Sequence, residues 1–301
     1  MPSPFEHLSL ASSTVGSLPL SAAGRTAFLV GSLCPDVDKI AGFPRARTHW
    51  WDPGDDVSGA LKLIASSPRI GTLPLDCSRR AFVAGYLCHL VSDEQWTMTI
   101  YRPFFGLKSK FMAAQAGADL QWALHAALDD VHFTTGLLST ALSEVSTSAE
   151  LPNWETLITT IPPGHAVQFV NMVLRQAAMS DAVARYRYAA KVSRRISESH
   201  RGASDPMTPR VTASLGGHER PKVVRPTGDA LRLEDFLSRL DRLTADVLAY
   251  VPGDAISHFR RRAVQESAKV CAAYLAGAPV MPPAGTVPLP STGGDPARTD
   301  L

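Results

Sequence analysis

Residues 79–96 read RRAFVAGYLCHLVSDEQW, with apolar positions so nearly continuous that no wide polar face remains. A helix of this pattern is covered on most sides, so the rest of the chain has to pack around it. Asp76 or Ser78 offers a capping side chain for its start. No run of alternating β-branched residues is long enough to predict a sheet. The expected fold is therefore all-α, a multi-helix bundle. Two polar residues interrupt the central helix, His89 and Asp93, four positions apart and so on one face. A buried carboxylate costs several kcal/mol unless it is paired or bound to a metal. The pair therefore reads either as a core His–Asp hydrogen bond, as an ion pair with Arg79 or Arg102, or as two metal ligands.

The 301 residues are 45% hydrophobic and 19% charged, enough apolar material for a sizeable core and too much for wholesale disorder. A formal charge of +2 is too small to argue for nucleic acid as an obligatory partner. The opening MPSPFEHLSL has no basic segment followed by an apolar run, which predicts no signal peptide. Nothing reaches the roughly 18 consecutive apolar residues of a membrane span, so no transmembrane segment is expected. Cys34, Cys77, Cys88 and Cys271 are scattered without a CxxC pair, a usage that suits reduced thiols and a cytoplasmic location.

Ser21 caps a helix through AAGRTAFLVGSL that should stop near Cys34-Pro35. Residues 36–56, with two prolines and two glycines, read as a long functional loop. Helical stretches are expected over 108–146, over about 165–199, and as two amphipathic helices at 233–250 and 254–276. The resulting division is a helical metal-binding domain (1–199), a Gly/Pro-rich linker or mobile loop (200–230), a C-terminal helical pair (231–278) and a disordered tail (279–301).

Of nine histidines, two have an aspartate four positions on, His89/Asp93 and His125/Asp129. Spacing alone is weak evidence, because 28 acidic residues make such a match close to expected by chance. The 36–56 loop adds Asp36 and His49, with Asp38 between them. Zinc favours tetrahedral sets of imidazole and carboxylate, and Asp36, His49, His89 and Asp93 would supply four such groups. Taken singly, Asp36 also reads as a turn residue after Pro35, and His49 as a surface neighbour of Trp50. Trp50, Trp51 and Trp96 read as core before they read as the mouth of a site.

The ordered combination of an early His7, Gly31-Ser32-Leu33-Cys34-Pro35-Asp36, Thr48-His49 and GYLCHLVSDEQW from Gly85 resembles the zinc-dependent phospholipase C and single-strand-specific nuclease superfamily. The resemblance covers roughly residues 5–130. It implies an all-helical bundle of the phospholipase C type, up to three zinc ions, and hydrolysis of phosphodiester bonds, to which the chain's own pattern adds a C-terminal helical extension. It implies that Asp36, His49, His89 and Asp93 hold the first metal, and that Asp93 bridges to a second held with His7. In the family an N-terminal tryptophan completes that second site; this chain starts Met-Pro-Ser. The third site's later pair matches His125 and Asp129, with Asp for Glu, while Thr97 and Met98 stand where a further histidine is expected. One tight zinc is therefore expected, within a scheme that holds two or three. Asp36 would double as the catalytic residue that orients or deprotonates a water. The implied substrate is a small phosphate ester or phospholipid head group, a diester first. The incomplete sites leave open a degenerate, metal-stabilised member that binds a lipid or protein partner without turnover.

Overall fold

The computed structural model describes residues 1–41, 44–50, 56–75, 77–106, 114–147, 158, 164–179, 181–201 and 230–286. Over these residues the chain is helical, with no β-strand. The helices are α1 (Pro4–Val15), α2 (Ala22–Leu33), α3 (Asp38–Ala41), α4 (Ala46–His49), α5 (Gly59–Ser66), α6 (Pro68–Gly71) and α7 (Ser78–Trp96). After α7 a π-helical segment, Thr97–Phe105, leads on to α8 (Ala114–Thr135), α9 (Ser139–Ser146), α10 (His165–Ala177) and α11 (Ala182–Arg201). The last three are α12 (Ala230–Ser238), α13 (Leu240–Tyr250) and α14 (Gly253–Leu275). No helix among the described residues is long and apolar enough to cross a membrane.

Helix α7 is buried from Arg80 to Trp96, as its continuous apolar pattern requires. Its N-cap is Cys77, whose Sγ accepts from the Arg80 amide; Asp76 lies outside the described residues. Helix α2 packs closest against it. A Cβ on Gly31 would stand 2.0 Å from the Phe82 carbonyl oxygen, and one on Gly85 would stand 1.9 Å from that of Phe28. The two glycines face opposite helices, and each removes the side chain that would hold the backbones apart.

The stretch 36–56 is not one long loop. Pro35 sits in the first turn of a 3-10 helix, Cys34–Val37, which runs into α3, and α4 follows. A proline is preorganised for a first helical turn, where its missing N–H is not needed, so it restarts the helix here instead of ending it. The 165–199 stretch is likewise two helices, and Asp181 caps the second by accepting from the Ala184 amide. The 108–146 stretch breaks at Gly136, which has φ +68° and needs no Cβ there. The 233–250 helix breaks at Arg239.

The helices expected as a C-terminal extension are built into the core. Val270, Cys271, Tyr274 and Leu275 of α14 share one apolar cluster with α1, α2 and α7. Phe236, Leu240, Val247 and Phe259 share a second cluster with Leu10, Trp96 and Leu124. Arg80 crosses this seam, with Nε 3.1 Å from the Tyr274 carbonyl. Residues 202–229, the body of the expected linker, lie outside the described residues, as do 287–301 of the expected tail. Residues 279–286, also assigned to that tail, are held in place. The Ala284 amide donates to Glu266 at 3.0 Å, and its carbonyl accepts from Gln95 (3.1 Å) and Arg262 (2.9 Å).

Candidate metal centre

Four segments converge on one buried spot. His7 comes from α1, Asp36 from the 3-10 turn, His49 from the end of α4, and His89 and Asp93 from α7; each is about 1% exposed. The close approach of α2 to α7 sets the His89 ring, because its Nδ1–H donates to the Ser32 carbonyl at 2.7 Å. His49 is fixed within its own turn. The Thr48 hydroxyl donates to the Arg45 carbonyl (3.2 Å) and accepts from His49 Nδ1 (2.7 Å). Tyr86 of α7 anchors that turn by donating to the Thr48 carbonyl at 2.6 Å.

Both hydrogen bonds assign the proton to Nδ1, which leaves the Nε2 lone pairs of His49 and His89 facing each other at 3.2 Å. The same two nitrogens lie near two carboxylate oxygens. His49 Nε2 is 3.8 Å from Asp36 Oδ1 and 3.5 Å from Asp93 Oδ2; for His89 Nε2 the distances are 4.0 and 3.7 Å. Zinc bonds of 2.0–2.1 Å in a tetrahedron set ligand atoms about 3.3–3.4 Å apart. The imidazole–imidazole edge of 3.2 Å fits that value, and the four imidazole–carboxylate edges, 3.5–4.0 Å, are longer. His7 stacks on His89 with ring centroids 3.6 Å apart, and its Nε2 lies 3.2 Å from Asp93 Oδ1. Among the described residues, three overlapping sets of side chains are close enough to hold an ion: His7, Asp36 and His89; His49, His89 and Asp93; and Asp36, Asp38 and His49. These buried His and Asp groups can bind a metal ion.

The electrostatics keep His49, His89, Asp36 and Asp93 deprotonated. Burial lowers His89 to about 3, helped by His7, and burial followed by Arg45 takes His49 well below its ordinary value. Burial would raise the carboxyls, but nearby cations outweigh it. Lys39 and the histidines hold Asp36 below the usual range, and Arg45 does the same for Asp93. The Met1 amino group is buried beside the same charges, and burial lowers it to about 5.

Nothing in the sequence reading anticipated the two cations. Arg45 bonds Asp93 Oδ2, with its Nη1 3.9 Å from Asp36 Oδ1, and Lys39 Nζ lies 2.5 Å from Asp36 Oδ2. Asp93 is thus paired with neither Arg79 nor Arg102; Arg102 pairs with Asp56 instead. The available signal was a Lys and an Arg in the stretch that already carried Asp36 and His49.

Against protein-family models, curated proteins and solved structures, nothing matches the chain.

His125 and Asp129 lie on α8, outside the three ligand sets. The His125 ring packs against Trp96 and Trp122, with centroids 5.3 and 5.7 Å away, and its buried Nε2 has no hydrogen-bond partner among the described residues. Asp129 accepts from the Ser3 hydroxyl, and burial pushes it up to about 8. Alongside runs a network missed at the sequence level. Glu6 accepts from Arg260 (2.8 and 2.7 Å) and lies 2.6 Å from His132 Nε2, tying α1 to α8 and α14. Trp96 is fully buried core, Trp50 is half-buried and edge-on to Tyr86, and Trp51 lies outside the described residues. A separate surface cleft of about 710 Å³ between the π-helical segment and α14 is lined by Met98, Phe104, His258 and Arg261. None of the clustered side chains lines it.

Proposed function

We propose that this protein is a zinc-dependent hydrolase of phosphate esters, phosphodiesters first, built on a helical bundle of the phospholipase C type. One observation carries the reading: two imidazole lone pairs 3.2 Å apart converge with two carboxylate oxygens in a buried spot. Two facing lone pairs repel unless a proton or a cation lies between them. The low proton affinity of both rings at this depth favours a metal cation. Asp36, His49, His89 and Asp93 would hold the zinc, with His7 beside Asp93. A zinc ion there would supply Lewis-acid polarisation of a phosphoryl oxygen and an activated water.

The protein's own groups have distinct tasks in this scheme. Ser32 and Thr48 hold the rings of His89 and His49 in the ligating tautomer. Asp36 stays ionised at any pH near neutral, so it suits the orientation of a water through an accepted hydrogen bond better than the storage of a proton. The four cysteines form no disulfide, which suits the reducing, cytoplasmic location proposed here.

Metal-replete protein should cleave a bis-aryl phosphodiester, and a chelator should abolish the cleavage. Full zinc occupancy with no turnover of any mono- or diester would replace this reading with that of a metal-stabilised binding protein. Protein that never takes up zinc would remove both.

A further inference from the structure

We infer that Arg45 is a displaceable counter-ion: it neutralises the ligand carboxylates until a divalent metal binds, and is then released to hold the substrate's phosphate oxygens. This rests on the metal-dependent reading above. Arg45 bonds Asp93 Oδ2 and approaches Asp36 Oδ1, the two oxygens that close the four-atom cradle with His49 and His89. A divalent ion at those oxygens would face the guanidinium across a few ångströms, and two cations so close repel in a buried setting. The side chain has somewhere to go. At 17% exposure Arg45 lies nearer to solvent than the aspartates and histidines it touches, and Nη1 has no hydrogen-bond partner among the described residues. Its backbone does not need to move, because the Arg45 carbonyl is bonded to the His49 amide and the Thr48 hydroxyl in the turn that carries His49. The released guanidinium would stay next to the ion, and its planar fork matches two oxygens of one phosphate. Lys39, 19% exposed, is the second cation on that side.

The test compares wild type, Arg45→Met and Arg45→Lys in two measurements: zinc affinity by competition with a chromophoric chelator, and binding of inorganic phosphate to zinc-loaded protein by calorimetry. Arg45→Met should bind zinc at least ~10-fold more tightly, because a competing cation is gone, and phosphate at least ~10-fold more weakly. Arg45→Lys should retain most of the phosphate affinity. If Arg45→Met is unfolded without metal, zinc should restore its fold, since the ion takes over the neutralising role. Unchanged or weaker zinc binding in folded Arg45→Met, phosphate affinity equal to wild type, or failure of zinc to restore the fold would each overturn the inference alone. Wild-type protein that binds no zinc would overturn the metal-dependent reading with it.

Discussion

His89 is held at Nδ1 by the Ser32 carbonyl and turns its Nε2 lone pair toward that of His49, whereas the buried Nε2 of His125 has no hydrogen-bond partner among the described residues. Replacing His89 by Ala should abolish tight metal binding and, in metal-free protein, cost about 2–3 kcal/mol for a lost hydrogen bond and a small cavity. The cost stays below that of a stranded carboxylate because Arg45 still pairs Asp93. His125→Ala should keep the metal. Metal content and thermal melts of the two variants decide this, and equal metal loss would place the primary site elsewhere. Glu6 gives a pH signature. Burial would raise its carboxyl, but Arg260 and His132 outweigh burial and lower it to about 2 from 4.5. The folded state therefore binds fewer protons than the unfolded state. Its contribution, roughly 3 kcal/mol, is present above about pH 4.5 and is lost as pH falls toward 2. Denaturation of wild type and Glu6→Gln from about pH 6 to about pH 3 should show a steeper acid loss in wild type. Parallel curves would count against the network. His89 and Asp93 were legible because polar residues in an apolar helix announce themselves by what they interrupt. Glu6 and His132 were not, since the contact joins residues 126 positions apart and neither lies in a patterned run.

At the scale of elements, the contact between α2 and α7 decides most. Each glycine faces backbone, so an added methyl cannot be relieved by a side-chain rotation. Gly31→Ala or Gly85→Ala should cost roughly 3 kcal/mol or more, against a typical 1–3 for overpacking, and should also weaken metal binding by moving Ser32 away from His89. Thermal melts with zinc titration check both effects, and a neutral Gly85→Ala would contradict the packing. Helix α2 was readable in full, cap included: Ser21 accepts from the Gly24 amide at 3.2 Å. The turns around Asp36 and His49 were not, because four-residue helices carry too few positions to show a period. The break at Arg239 and the one after Ala177 went unseen for a related reason: the flanking helices keep enough apolar periodicity that each pair reads as one.

At the scale of the molecule, the two apolar clusters both draw on the first and the last thirds of the chain. A fragment ending at residue 199 should therefore fail to fold as a native-like unit, since α7 would lose Val270, Cys271, Tyr274 and Leu275 along one side. Circular dichroism and a cooperative melt test this, and a sharp transition in the fragment would contradict it. The α7–α14 seam also has a consequence in time. Helix α7 is synthesised roughly 180 residues before α14 is finished. At translation rates of about 5–20 residues per second, its most apolar surface waits for about 10–35 s without its final cover. The nascent chain thus passes through a period of sticky, unfinished assembly, and its yield in a cell should depend on chaperones that hold this helix until the last one leaves the ribosome.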